Sequence, residues 1–139
     1  MPESAREIDL DERKTIGLEL PIKRNNTSDF AMTKNSLQQA EHNLKNLLLT
    51  HPLERVGQPT FGSRLRALCF EQVDEHLPER IEEEIRQSVS IWLPYINIID
   101  VTTLTEEGDK NKIVVRIKYS TTLNTQTIQR MDITPSADL

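Results

Sequence analysis

Carboxylates that could act as a general acid and a general base occur at Glu41, Glu54 and Glu71. Glycoside hydrolysis needs two carboxylates on opposite sides of a sugar, and one of them must stay protonated. Arg55 follows Glu54 directly, and an ion pair between them would favour the charged form of Glu54, the wrong direction for a general acid. A chain of 139 residues also leaves little room for a substrate cleft. A small peptidoglycan hydrolase of the muramidase type is therefore an alternative reading, and the residues favour a protein without catalytic groups.

The other side chains that could bind a ligand or react show no spacing typical of a metal or cofactor site. The four glycines are dispersed, so the sequence contains no loop that could cradle phosphate. The single cysteine, Cys69, lies in an apolar run, which predicts a small buried side chain and excludes an internal disulfide. We therefore expect no metal and no cofactor. The three histidines, which share no ligand spacing, are His42, His51 and His76.

The formal net charge of −5 argues against nonspecific binding to nucleic acid or to an anionic membrane. Arg64 and Arg66 have no aromatic platform beside them, and acidic residues follow, so we interpret them as part of a solvated helix face. The first residues do not resemble a signal peptide, and no stretch approaches the roughly 20 apolar residues of a membrane span. The sequence predicts a soluble protein made in the cytoplasm.

Apolar periodicity predicts three helices in the first two thirds of the chain. Leucines at helical spacing predict a helix over 33–50, with Thr33 or Ser28 as its cap and Pro52 after its end. A short helix is predicted over 63–70. The pattern is clearest over 78–92, where Pro78 suits the first turn. The buried stripe predicted there consists of Ile81, Ile85, Val89 and Trp92.

Alternation of apolar residues predicts an initial strand over 16–22 and an antiparallel hairpin from strands over 96–104 and 112–120, with a third strand over 127–133. Strands grouped after helices indicate an α+β fold, with two to three helices packed on one face of a small, mostly antiparallel sheet. The expected organisation is a flexible tail over 1–15, one domain over 16–134 and a short tail over 135–139.

Two segments carry an order of residues that a plain linker does not need. In the first, a helix end is followed by Glu54-Arg55, then Pro59, then Phe61-Gly62. The second runs from the only tryptophan, Trp92, through Leu93, Pro94 and Tyr95 to Ile96. Trp92 is either a core residue at the end of an amphipathic helix or a contact residue, because tryptophan is enriched at interface hot spots.

This order resembles the baseplate wedge family that starts sheath assembly in contractile phage tails, called lysozyme-like in older naming, with relatives in type VI secretion. The resemblance covers about residues 30–134 and includes Lys34-Asn35-Ser36-Leu37 at the start of the first helix. Members typically carry Glu-Pro-Arg at the end of the acidic helix, where this chain has Leu93-Pro94-Tyr95 and only the proline matches. That tripeptide is thought to engage the core bundle of neighbouring wedge proteins, so an apolar contact is expected here instead.

The resemblance implies a non-enzymatic structural subunit that joins the wedge core to the tail sheath and templates the first sheath ring by strand addition. Its expected partners are other baseplate wedge proteins and the tail sheath subunit, with tail tube and hub proteins as further partners that the resemblance allows. It implies a place in the virion tail baseplate and assembly in the host cytoplasm. We expect a monomer when the protein is alone, because the sequence indicates no obvious self-complementary apolar patch. The equivalent subunit of a bacterial contractile injection system remains an alternative. The residues expected to bind partners are Trp92, Leu93, Pro94, Tyr95, Glu54, Arg55, Phe61 and Gly62.

Overall fold

The structure is a computed structural model that describes residues 10–11, 13–20, 22–24, 30–106 and 109–135. Its described part contains three helices and two antiparallel sheets, one of two strands and one of three, which confirms the α+β prediction. Contacts divide the chain into two compact units, the first ending at Asn43 and the second beginning at Leu44.

The first unit holds the two-stranded sheet, in which β1 (Gly17–Leu18) pairs antiparallel with β2 (Met32–Thr33). The predicted strand over 16–22 is therefore much shorter than expected. Its apolar residues are also less buried than the alternation suggested, since Ile16 is 38% and Leu18 42% exposed. Strand β1 is short because its partner strand, β2, is itself only two residues long.

Helix α1 (Ser36–Leu49) begins three residues later than predicted. Its start is set by Asn35, whose side-chain oxygen accepts a hydrogen bond from the Gln38 amide at 2.8 Å and so caps the first turn. The predicted cap Thr33 is not used in this way, because its hydroxyl bonds to the Gln39 side chain. The other suggested cap, Ser28, lies outside the described residues.

In the second unit, α2 (Leu65–Cys69) and α3 (Leu77–Trp92) pack against each other, and α3 also packs on the three-stranded sheet. The stripe predicted on α3 is confirmed for Ile81 and Ile85, which are fully buried, and for Val89, which is 2% exposed. Its last member, Trp92, is only half-buried. Cys69 is buried as predicted. The helix starts one residue before the predicted Pro78, which occupies its first turn.

The larger sheet has the order β3 (Ile96–Glu106), β4 (Asp109–Thr121) and β5 (Asn124–Ile133), with both pairs antiparallel. Val101, Ile117 and Met131 form one row across the three strands. Alternate residues of β4 and β5 fill the core from this face of the sheet. They are Ile113, Val115, Ile117, Tyr119, Met131 and Ile133.

The opposite face of this sheet carries ion pairs beside the apolar pair Leu104 and Val114, of which Leu104 is 38% exposed. Arg116 on β4 makes two hydrogen bonds of 2.9 Å to the carboxylate of Asp132 on β5. Lys118 Nζ lies 3.2 Å from a carboxylate oxygen of Asp100 on β3. A sheet of this kind packs helices on its fully apolar face and leaves the face with the ion pairs to water.

Candidate partner-binding site

The two segments selected from the sequence meet in the structure. The rings of Phe61 and Trp92 pack edge to face, with centroids 5.2 Å apart and planes at 69°. The guanidinium carbon of Arg55 lies 4.1 Å from the centroid of the Phe61 ring, which is cation–π geometry. Arg55, Phe61 and Trp92 therefore form one stack that attaches the loop before α2 to the end of α3.

Gly62 allows the loop to return to the end of α1. Its φ is +130°, and a Cβ at this position would lie 2.5 Å from the carbonyl oxygen of Thr50. The same oxygen accepts the Ser63 amide at 2.9 Å. The Ser63 hydroxyl donates to the Leu48 carbonyl at 3.1 Å. Because the two chain segments approach so closely, a side chain does not fit here.

Glu54 holds the same loop together by its carboxylate. One oxygen accepts the His51 amide at 2.9 Å, and the other lies 3.9 Å from Nη1 of Arg66. The other two carboxylates considered for acid–base chemistry have different surroundings. Glu71 accepts a hydrogen bond from Arg80 at 2.7 Å, and Glu41 is exposed on α1. The role that the structure gives to Glu54 is to order the loop.

The second segment forms the turn between α3 and β3. Leu93 donates its amide to the Val89 carbonyl at 2.8 Å and is 8% exposed, so its side chain belongs to the core. Pro94 is exposed and Tyr95 is half-buried. The Tyr95 carbonyl accepts the Thr122 amide at 2.9 Å, which ties this turn to the β4–β5 hairpin. Within Leu93-Pro94-Tyr95, the side chains at the surface are those of Pro94 and, in part, Tyr95.

Chemistry at the cysteine is disfavoured by its surroundings. Burial raises the pKa of the Cys69 thiol to about 11, so the nucleophilic thiolate is scarce at neutral pH. Across the described residues, no group of three or more His, Cys, Asp and Glu side chains is arranged to hold a metal ion. In the same part of the chain, no helix has the length and apolar character needed to cross a bilayer.

Leu53, which no sequence pattern indicated, has a φ of +76° and is 81% exposed. Glycine, asparagine or aspartate is the usual residue in this conformation, so a leucine gives no sequence signal for it. Val56, in the same loop, is fully exposed. Pro52 and Gly57 indicate that the segment is a loop, but the composition does not predict the conformation of that loop.

The sequence profile of the family described as baseplate wedge protein gp25 matches residues 35–126, which include both segments of the site. No curated protein matches the chain at a significant level.

Solved structures share the fold at low sequence identity. A candidate tail lysozyme from Geobacter sulfurreducens aligns with a TM-score of 0.65 and 22% identity, covering 73% of this chain and 91% of that one. A chain of the anti-feeding prophage baseplate aligns with a TM-score of 0.67 and 17% identity, covering 78% and 86%. A chain of the postcontracted pyocin R2 baseplate aligns with a TM-score of 0.50 and 19% identity, covering 81% and 97%.

Proposed function

This chain belongs to the family of baseplate wedge protein gp25, and we propose that it joins the wedge core of a contractile tail baseplate to the tail sheath. The observation that carries the proposal is the family match over residues 35–126. The first sheath ring is templated by strand addition to the three-stranded sheet. The protein works in the virion baseplate, is assembled in the host cytoplasm, and contacts other wedge proteins, the sheath subunit, and tube or hub proteins.

The outer edge of β5 is the better of the two sheet edges for strand addition. No strand in the described part of the chain pairs with that edge. An uncovered edge offers backbone donors and acceptors to an incoming strand. The register between β4 and β5 is regular from Gln129 to Ile133 and shifts before it, so this regular segment is the proposed landing site.

The outer edge of β3 is partly closed by α3. Nη1 of Arg86 donates to the Ile98 carbonyl at 2.9 Å, and Nη2 lies 3.4 Å from the Ile99 carbonyl. These carbonyls lie at the irregularity between Ile98 and Asp100, where the β3–β4 register shifts. A bulge and a bound side chain both obstruct a continuous ladder on that edge.

Proline substitutions at Gln129 and Arg130 test strand addition on β5. Backbone groups of successive residues in an edge strand point alternately toward the neighbouring strand and away from it. One of the two prolines therefore removes an amide facing outward, while the other breaks the β4–β5 ladder. Circular dichroism identifies the variant that stays folded. That variant is expected to form no complex with the sheath subunit in size-exclusion chromatography with light scattering. It is expected to bind the wedge proteins as the wild type does.

The matched control acts on the other contact. We propose that the wedge core binds at Pro94 and Tyr95. Pro94→Ala is therefore expected to lose binding to the wedge proteins and to keep binding to the sheath subunit. A folded β5 proline variant that still starts sheath growth would overturn strand addition at this edge. Deleting β5 is a poorer test, because Met131 and Ile133 belong to the core.

We propose that the protein is not an enzyme. The Glu54 carboxylate orders the loop through its contacts with His51 and Arg66. A turbidity assay on cell walls tests this part of the proposal. Lysis by the wild-type protein that is lost in Glu54→Gln would favour the peptidoglycan hydrolase instead. The proposal covers phage tails and bacterial contractile injection systems alike, because the contacts with wedge and sheath have the same chemistry in both.

A further inference from the structure

The sheet face with the ion pairs carries its charges in rows that run across the strands. One row consists of Asp100 on β3, Lys118 on β4 and Arg130 on β5, which the antiparallel register sets directly opposite one another. Residues opposite each other in adjacent antiparallel strands point to the same face, with Cβ atoms about 5 Å apart. The row therefore reads negative, positive, positive from β3 to the outer edge of β5.

The one carboxylate of this row is used by Lys118. Its Nζ lies 3.2 Å from a carboxylate oxygen of Asp100. Arg130, on the other side of Lys118, is exposed, and in the part of the chain that the structure describes no carboxylate forms an ion pair with its guanidinium. Like charges directly opposite each other destabilise a sheet. The row thus ends on an uncompensated positive charge at the edge where a fourth strand would add.

Asp132, two positions along β5, does not compensate this charge. Both of its carboxylate oxygens accept hydrogen bonds of 2.9 Å from Arg116. The hydrogen bond from Arg116 lowers the pKa of the Asp132 carboxyl most, and the charge of Arg130 lowers it further. The two groups therefore attract each other, but the hydrogen-bonding oxygens belong to Arg116. A carboxylate for Arg130 has to come from outside the sheet.

We infer that the strand that adds to β5 carries an acidic residue directly opposite Arg130. This inference rests on the proposed function, which makes the sheath subunit the source of that strand. The completed row reads negative, positive, positive, negative, and the planar guanidinium can bind both oxygens of the new carboxylate. The neighbouring residue of the incoming strand, opposite Met131, points to the core face and is apolar, because Met131 is only 6% exposed.

The pair with Arg130 selects the partner strand and its register more than it adds affinity. An exposed ion pair contributes little to binding by itself. A strand with a basic residue at this position would add a third positive charge to the row, which excludes it. A slip by one residue would turn the acidic side chain toward the core face. One strand in one register is therefore favoured over the alternatives.

A second copy of β5 fits this edge less well. Antiparallel pairing centred on Met131 would set Asp132 of the second copy opposite Arg130. Both oxygens of that carboxylate already accept hydrogen bonds from Arg116 of the same chain. A sheath strand whose carboxylate is unpaired before binding offers Arg130 a complete partner. The occupant of the edge is therefore the sheath strand.

The test compares Arg130→Glu with Arg24→Glu. Arg24 is a matched control because it is exposed and lies in the first unit, outside the three-stranded sheet. The affinity of each variant for the purified sheath subunit of the same tail is measured at low and high salt. Arg130→Glu is expected to weaken binding about tenfold at low salt, because an attractive pair becomes repulsive, and less at high salt. Arg24→Glu should leave the affinity unchanged.

Circular dichroism of the free protein separates this effect from unfolding. Arg130→Glu should keep the fold, because a glutamate at this position faces Lys118 and removes the like-charge contact. The partner residue is then identified by changing each acidic residue of the sheath subunit to lysine in turn. One of these lysine variants is expected to restore the affinity of Arg130→Glu to within about threefold of the wild-type pair.

The outcomes distinguish this inference from the proposed function. Unchanged sheath binding by folded Arg130→Glu, or the absence of any restoring lysine, would overturn the inference and leave sheath binding as the function. A wild-type protein that does not bind the sheath subunit would overturn both. Self-association of the wild type that Arg130→Glu abolishes would make the occupant of the edge a second copy, and would also overturn the inference.

Discussion

At the scale of single residues, Gly62 is the position where the backbone leaves no room for a side chain. Its φ is +130°, and an added Cβ would lie 2.5 Å from the Thr50 carbonyl oxygen, which cannot move without shifting the end of α1. Gly62→Ala is expected to lower the free energy of unfolding by about 3 kcal/mol, from the backbone strain and the clash together. Urea denaturation followed by circular dichroism measures the change.

Gly57→Ala is the control, because the same loop has open space around that residue. No atom lies within 4 Å of a Cβ built on Gly57. This substitution is expected to change stability little, or to raise it by up to about 1 kcal/mol through the unfolded chain. If both variants were equally stable, the close approach between Gly62 and Thr50 would not matter for the fold. The contrast between them separates a glycine that the structure needs from one that it tolerates.

At the scale of elements, the stack of Arg55, Phe61 and Trp92 connects the loop to α3. Phe61 is 8% exposed, and its ring meets the edge of Trp92 at a centroid distance of 5.2 Å. Phe61→Leu is expected to lower the free energy of unfolding by about 1 to 3 kcal/mol, from lost area and the lost ring contact. Trp92 is the only tryptophan, so its emission should shift to longer wavelength as water gains access.

Phe70→Leu provides the comparison for that experiment, because Phe70 is 67% exposed and belongs to the same unit. It should leave the emission of the free protein unchanged. An unchanged spectrum in Phe61→Leu would mean that the stack does not set the environment of Trp92. The two segments recognised in the sequence would then be neighbours without being joined.

The elements also show what the sequence can and cannot predict. The stripe on α3 predicted its burial, and its bounds differ by one residue, because sixteen residues repeat the pattern over several turns. Alternation over 16–22 did not predict burial, because a strand needs a partner strand whose length the pattern does not contain. The Phe61–Trp92 contact and the conformation of Leu53 depend on tertiary packing and loop closure. Residue type indicated Phe61 and Trp92 as candidate site residues, whereas nothing in the residue type of Leu53 indicated its unusual backbone conformation.

At the scale of the whole molecule, two ion pairs disfavour association through the part of the open sheet face that they occupy. That face carries the pairs Arg116–Asp132 and Lys118–Asp100, and burying them against another protein would require new partners for each charge. The contacts that we propose for assembly are the β5 edge and the turn at Pro94. These two lie on different elements, so substitutions in one should leave binding at the other intact.

The same charged face gives the molecule a definite response to acid. The hydrogen bond and charge of Arg116 lower the pKa of the Asp132 carboxyl below its ordinary value of 3.8. A carboxyl whose pKa is lowered by folding stabilises the native state fully above the unfolded-state pKa. That contribution disappears as the pH falls through the lowered, folded-state pKa. Asp132→Asn should therefore be less stable than the wild type by a constant amount above about pH 5, and the difference should shrink below about pH 4.

Urea denaturation at a series of pH values measures this difference, with Glu83→Gln on the exposed surface of α3 as the control. The pair is exposed to solvent, so high salt should reduce the difference at neutral pH as well. A difference between wild type and Asp132→Asn that persists unchanged at pH 2 would mean that the asparagine acts through packing. In that case the ion pair between β4 and β5 would contribute nothing to acid stability, and the charged face would serve only to keep that side of the sheet in water.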